Sequence, residues 1–421
     1  MQRPLVHVIG AGFSGLAAAV RLAREKTYDI VVHEAAMQAG GRRRSYLDDA
    51  ASAMIDNGNY VLLSGDQSSF EFVDAIGARD QIEILPGSDI PFADMLSGQR
   101  WSLQPNEGRV PWWLLSDKRR LPNSRVKDYW AIAKLLRAKP ASALGDVIEC
   151  AGPLYERMWR PLLLAALNTD PKTAAAGLAA APLRRLLACG GRGAHLCLPR
   201  NGLSRSLIEP ALKHLRRSGV QVRFGRRLEA MEFSGQRVER LEFEHDSIGL
   251  GARDYVVLAM PGFAASALIP AISTPQQYNA TLTAHFNIAP PAKQPRMLGV
   301  VNGMVNWLFA WPDRLSVTIN NANEFMERPR DRLAADIWRE VAALTGHADA
   351  LPSWRIIRQR RATFSATPQD DARRPAVQTA WSNLFLSGAY VQNGRPAAGL
   401  ESTIQSGQSA AQALVESIVK G

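Results

Sequence analysis

The sequence predicts an α/β fold, in which a parallel sheet is assembled from three separated segments and α+β regions are inserted between them. Three observations predict it: a strand–turn–helix–strand run opens the chain, strands return after Gly202, and a strand, a glycine and a long helix close it. The opening run reads as strand Leu5–Ile9, helix Ser14–Glu25 and strand Ile30–Glu34. The second block reads as a helix to about Arg217, strand Val220–Phe224, alternating strands to Phe243, and strand Asp254–Ala259. The third reads as strand Asn383–Ser387 and a helix from about Gly399 to Ile418. Between them, 66–194 looks mostly helical, while 271–375 mixes strands Thr281–Ile288 and Leu315–Asn320 with a helix over 331–344. Residues 1–65, 195–270 and 376–421 are therefore expected to form one domain. Residues 66–194 and 271–375 are expected to form a second, which binds substrate and touches membrane.

Composition narrows the class. The 421 residues carry 50 Lys+Arg against 39 Asp+Glu, a formal charge of +11, with 46% hydrophobic and 21% charged residues. Such a chain buries a large core, which excludes disorder, collagen-like sequence and a small disulfide scaffold. Cys150, Cys189 and Cys197 have no C-x-x-C spacing and read as buried thiols of a reducing compartment. The N-terminus lacks a basic region and a cleavage site, so no secretory signal is expected. The stretch Leu5 to Val20 contains His7, three glycines and Ser14, unlike a spanning helix of about 20 apolar residues. The positive surplus favours a polyanionic surface.

The segment Gly10-Ala11-Gly12-Phe13-Ser14-Gly15 is G-x-G-x-x-G between a strand and a helix, the Rossmann-like arrangement for a dinucleotide. Gly10 permits the turn, Gly12 admits a pyrophosphate to the backbone, and Gly15 lets helix and strand pack closely. Phe13 and Ser14 open the helix at its positive end. Glu34, 19 residues past Gly15, stands where an acid binds ribose hydroxyls.

Shortly after Glu34 comes Gly40-Gly41-Arg42-Arg43-Arg44-Ser45, so that E-x5-G-G-R-x-R-S forms one unit. It resembles the glycine-doublet signature of the amine oxidase and phytoene desaturase flavoproteins. The resemblance implies FAD, with Gly41 and Arg42 near its diphosphate and flavin. It extends to Gly388 after the late strand, to Gly399, Leu400 and Glu401 at the start of the last helix, and to Val222 on the adenine side. No second G-x-G-x-x-G follows a strand, so no NADPH module is expected and electrons come from an external donor.

Three further stretches resemble the squalene-associated FAD-dependent desaturases, the hydroxysqualene dehydroxylases of bacterial hopanoid synthesis. They are Ile55 to Leu63, Arg157 to Thr169 and Gly191 to Arg200. The resemblance spans nearly the whole chain and departs at Asn59-Tyr60, where Gln-His is expected. It implies reductive removal of the hydroxyl of hydroxysqualene, with hydride passing from reduced flavin to an allylic carbon. The protein then supplies a proton to the leaving oxygen and excludes water. Tyr60 is the first candidate donor and Asp56 the second, although an Asp before Asn-Gly also shapes turns. Asn168, Thr169 and His285 are candidate pocket residues, with helix termination and core packing as the alternative readings. Other functions considered are a carotenoid-type polyene desaturase, an amine oxidase, and a non-catalytic prenyl-lipid binder of the GDP-dissociation-inhibitor type. No metal site and no nucleic-acid motif accompany the charge.

A C30 substrate implies a membrane. Burying about thirty carbons from water at ~0.8 kcal/mol each gives roughly 24 kcal/mol, beyond the ~18–21 kcal/mol at which affinities saturate. Transfer from a bilayer is easier. Residues 109–139 combine Val110, Trp112, Trp113, Leu114 and Leu115 with a run of Lys and Arg, and fit an interfacial anchor. The other reading is a helix with its Trp pair in the core. A cytoplasmic protein peripheral to the inner face of the cytoplasmic membrane is expected.

Overall fold

β-Branched and apolar runs without charge form the centre of a five-stranded parallel sheet, as strands buried on both faces require. A computed structural model describes residues 3–48, 53–348, 350–392 and 399–420. The strand order is Gln221–Arg223, Asp29–His33, Leu5–Ile9, Tyr255–Leu258, Leu384–Leu386, drawn from all three separated segments. The first helix, Phe13–Ala23, and the last, Leu400–Lys420, pack together on it through Leu16, Val20, Ile404 and Leu414. An antiparallel trio, Leu228–Ser234, Arg237–Phe243 and Ser247–Gly249, belongs to the second block.

The second sheet has seven strands in the order Trp354–Phe364, Tyr278–Phe286, Leu315–Ile319, Trp307–Ala310, Met297–Val301, Ile90–Asp94, Arg100–Leu103. The helix Arg330–Thr345 carries Leu333, Ile337, Trp338 and Val341 at helical spacing, and buries them beside Phe286 of that sheet. It stops at Gly346, which is left-handed at φ +74°.

Two expectations need correction. Residues 66–194 are not mostly helical, because Ile82–Ile84, Ile90–Asp94 and Arg100–Leu103 are strands, and the last two extend the seven-stranded sheet. Their brevity, and Pro91 within one of them, hide the period-2 signal. Nor does 109–139 form one helix: it folds as short 3₁₀ turns at Trp112–Leu115 and Val126–Trp130, then the helix Ala131–Arg137. Asn106 pins the first turn through bonds to the Trp113 amide and the Val110 carbonyl.

All parallel strands point the same way. Their carboxyl ends therefore bring Gly10, Glu34, Met260 and Gly388 to one edge, where open α/β sheets bind ligands.

Candidate active site

The crevice at that edge is shaped by glycines for steric reasons. Gly10 sits at φ +109°, donates its N–H to the His33 carbonyl at 2.7 Å, and would place a Cβ 2.5 Å from the Ala259 carbonyl oxygen. A Cβ on Gly15 would fall 1.9 Å from the Gly10 oxygen. Gly12 starts the first helix, which has no side-chain cap and no acid in its first turn. Its leading N–H groups are thus left for an anion. A Cβ on Gly12 would meet only the Gly41 Cα, at 4.0 Å, so the two backbones face each other across a gap without side chains. Phe13 and Ser14 are buried, and Phe13 packs edge-on against Phe72. Glu34 accepts the amides of Ala11 at 2.7 Å and Ala36 at 2.9 Å, which fixes its carboxylate beside the glycine turn. Val222, half-buried, pairs in register with Val32 on the outer strand.

The doublet leads into the interior. Arg42 donates to the carbonyls of Arg361 and Ala362 at 3.2 and 3.1 Å, and Arg43 donates to Thr403 Oγ1 of the last helix at 2.7 Å. The Arg43 guanidinium lies 5.9 Å from the centre of the Tyr60 ring. The Tyr60 hydroxyl donates to Asn57 Oδ1 at 2.9 Å. Burial lowers the Arg43 pKa to about 10, and burial raises that of Tyr60 to about 12 against the opposing pull of Arg43. Arg42 is shifted down by burial as well. Arg42 is exposed, while Arg43 and Tyr60 are half-buried. Among the described residues no carboxylate pairs with Arg42, whose neighbour Gly41 faces Gly12 at the open helix terminus.

The last helix completes the wall. Gly388, at φ +143°, donates its N–H to Ser406 Oγ at 2.9 Å. Gly399 precedes that helix, and Leu400 is buried at its start. The Glu401 side chain, expected toward the cofactor, instead accepts the Ser69 amide and hydroxyl, both at 2.8 Å, and the Ser68 amide at 3.2 Å. It caps the helix Gln67–Ala75, whose orphan amides attract a carboxylate.

The candidate donors separate in the same way. The Asp56 carboxylate accepts from Ser45 Oγ at 2.5 Å and from the Leu203 amide at 2.9 Å, joining the Ser45–Asp48/Ala53–Asp56 hairpin to the turn after Gly202. Burial raises its pKa while those two bonds oppose the shift. His285 is buried in the seven-stranded sheet, with Nε2 donating to the Asp56 carbonyl at 2.8 Å.

Asn168 ends the helix Arg160–Leu167 in a left-handed conformation, φ +49°. Its Oδ1 accepts the Asn321 amide at 2.7 Å and its Nδ2 donates to Thr363 Oγ1 at 3.1 Å. Thr169 Oγ1 accepts from the Ala366 amide at 2.9 Å and from Asn279 Nδ2 at 3.0 Å. Both residues brace that helix to the second sheet.

Sequence reasoning missed Tyr390, Arg43, Thr403 and Gln359. Arg43 was visible within the arginine run. Gln359, whose Nε2 donates to the Arg42 carbonyl at 2.9 Å, sits in a long strand with no signal of its own. Tyr390 is buried, its ring lies where Cβ atoms on Gly262 and Gly388 would collide with it, and its hydroxyl has no partner among the described residues. Burial drives its pKa up. This unpaired phenol, the gap between Gly12 and Gly41, and the cation of Arg42 suit an elongated, anionic, hydrogen-bonding group such as FAD.

Residues 13–415 match the family model described as flavin containing amine oxidoreductase. A protein of Rhodopseudomonas palustris named hydroxysqualene dehydroxylase is 46% identical over 96% of this chain and 97% of its own length. Others with the same name, from Sinorhizobium fredii and Zymomonas mobilis, are 43% and 39% identical over 96% and 97% of the chain and 97% and 98% of their own lengths. Among solved structures, cyclohexylamine oxidase from Brevibacterium oxydans superposes with TM-score 0.72 at 18% identity, covering 99% of this chain and 100% of that one. An oxidoreductase from Methanosarcina mazei superposes with TM-score 0.73 at 14% identity, covering 97% of this chain and 100% of that one. These two likenesses concern the fold.

Proposed function

The chain belongs to the family of flavin-containing amine oxidoreductases, and on that premise we propose that it is an FAD-dependent hydroxysqualene dehydroxylase, forming squalene. The observation that carries this reading is 39–46% identity, over nearly the full length, to three proteins of that name, with the glycine cradle intact. It favours dehydroxylation over polyene desaturation and over non-catalytic prenyl-lipid binding.

Residues 1–65, 195–270 and 376–421 hold the cofactor, and 66–194 with 271–375 enclose the substrate. Gly10, Gly12, Gly15, Gly41 and the first-turn amides at Phe13 and Ser14 cradle the diphosphate beside Arg42. Glu34 holds the ribose, with Val222 beside the adenine, and Gly388, Gly399 and Leu400 line the far end. When bound and reduced by an external donor, FAD supplies the hydride that replaces the hydroxyl.

The residues handle the rest of the balance: the allylic C–O bond breaks, the oxygen takes a proton, and water leaves. Tyr60 is the proposed donor, since its phenol follows the Asn57-Gly58 turn, beside the Arg43 guanidinium that would stabilise the phenolate left by donation. Asp56 supports it indirectly by fixing the loop from Asp56 to Tyr60, through Ser45 and Leu203. Asn168, Thr169 and His285 brace the walls around the pocket. Excluding water protects the delocalised cation left by the departing hydroxyl.

No helix among the described residues is long and apolar enough to cross a membrane. We place the protein peripherally on the inner face of the cytoplasmic membrane, where it draws substrate from the bilayer. The test is to incubate dithionite-reduced holoprotein anaerobically with hydroxysqualene and assay squalene. Formation of squalene supports the reading. Its absence, with oxidised protein converting squalene or phytoene to a more unsaturated product, replaces it by desaturation.

A further inference from the structure

Eleven large hydrophobic side chains are exposed on the described surface, and five of them, Val110, Trp112, Leu115, Val126 and Trp130, fall within 21 residues. Leu115 and Trp130 are 72% and 68% exposed, far from the usual state of such side chains in a core. Their clustering is spatial as well. Trp113, the neighbour of Trp112, is buried edge-on against Tyr129, the neighbour of Trp130, with ring centroids 5.9 Å apart. Chain neighbours lie about 3.8 Å apart, so Trp112 and Trp130 emerge from the same anchored pair. The Trp pair of the sequence is thus divided: Trp113 is core and Trp112 is surface.

The same stretch holds much of the molecule's charge. Between 109 and 139 there are nine Lys or Arg and two Asp, a balance of +7 out of +11 for the whole chain. Asp117 is engaged by Arg120, and Asp128 accepts the Arg125 amide, so neither acid neutralises Lys118, Lys127, Lys134 or Lys139, all exposed. Arg119 lies over the Trp112 ring at 4.6 Å, which places a cation at the foot of an aromatic side chain. Aromatic side chains inserted at headgroup level and ringed by cations suit an anionic lipid surface. A protein partner would instead favour a patch depleted of Lys.

Beneath the patch, Trp113, Tyr129 and Trp159 continue through Leu163 and Leu167 in one buried cluster that reaches Tyr390. The apolar interior is therefore continuous from this surface to the candidate site.

We propose that the surface formed by Val110, Trp112, Leu115, Val126 and Trp130, with Lys118, Lys127 and Lys134, docks the protein on an anionic lipid bilayer. It rests on the functional reading only for the nature of the cargo, and binding is read without turnover.

The test is flotation of FAD-loaded protein with vesicles of phosphatidylglycerol and phosphatidylcholine, against phosphatidylcholine alone. The protein is expected to float with the anionic vesicles and to be released by high salt. Trp112→Ser/Trp130→Ser is expected to lower partitioning at least roughly tenfold, and Lys118→Glu/Lys127→Glu to abolish the preference for anionic lipid. Met37→Ser/Leu96→Ser, which removes exposed apolar side chains elsewhere, is expected to float as the parent does. Retained FAD and an unchanged unfolding midpoint certify that each variant is folded. The proposal is overturned if the parent does not float, if the Trp pair changes nothing, or if the control pair matters equally. Squalene formation by a parent that fails to float would remove the docking surface and leave the enzyme reading intact.

Discussion

Replacing Asn168 separates a brace from a pocket residue, and the structure gives the size of the effect. Its Oδ1 accepts the Asn321 amide at 2.7 Å, and its Nδ2 donates to Thr363 Oγ1 at 3.1 Å, all within a buried junction of helix and sheet. Truncation leaves the amide without its acceptor, at about 1–3 kcal/mol, and forfeits a second hydrogen bond worth about 1 kcal/mol. Asn168→Gly therefore costs about 2–4 kcal/mol, because glycine accepts φ +49° freely. Asn168→Ala loses the same bonds and must also hold a left-handed conformation, for roughly 1 kcal/mol more. Thermal unfolding of the FAD-loaded variants is the assay. Drops on the order of 2–6 °C are expected for a chain of 421 residues, larger for Ala than for Gly, with KM for hydroxysqualene near that of the parent in what remains folded. Unchanged midpoints with a strongly raised KM would refute the reasoning, since a residue that only braces does not act on substrate affinity.

Tyr60→Phe should retain FAD but lose about 10²-fold or more in turnover, and equal turnover by quantitative squalene assay would remove Tyr60 as donor. Gly15→Ala should yield protein without flavin absorbance or no soluble protein, because its Cβ would stand 1.9 Å from the Gly10 oxygen. His7 and His33 form a buried stacked pair whose imidazoles burial holds neutral, with pKa values lowered to about 4 and about 3. The unfolded chain, near 6.5, binds protons that the fold refuses, so stability present above pH 6.5 is lost as pH falls toward 4. The slope is up to roughly 1.4 kcal/mol per pH unit for each imidazole. Chemical denaturation between pH 7 and pH 4.5 reads that limb, and His7→Val/His33→Val should flatten it.

Elements with one dominant local signal were legible. Leu5–Ile9 was read to the residue, and the last helix to within two at each end, because glycine turns and long apolar periods mark them. Positions that depend on distant partners were not. Glu401 lies at the expected helix start, yet its side chain answers the amides of Ser68 and Ser69, 333 and 332 residues away in sequence. Asp56 stands beside the Asn57-Gly58 turn, and only its contacts with Ser45 and Leu203 disclose a clamp. The strands Ile90–Asp94 and Arg100–Leu103 carry too few residues to declare a period, and their place in the second sheet is set by Met297–Val301. The Trp112-Trp113 pair shows the same limit, since one residue of spacing decides between core and surface and Tyr129 makes the choice.

Reductive dehydroxylation is tested most directly by a single anaerobic turnover with stoichiometry. Reduced holoprotein is mixed with excess hydroxysqualene, and flavin absorbance is followed while squalene is quantified. One squalene per flavin reoxidised is expected. Flavin that stays reduced while the substrate is recovered unchanged would refute the dehydroxylase assignment.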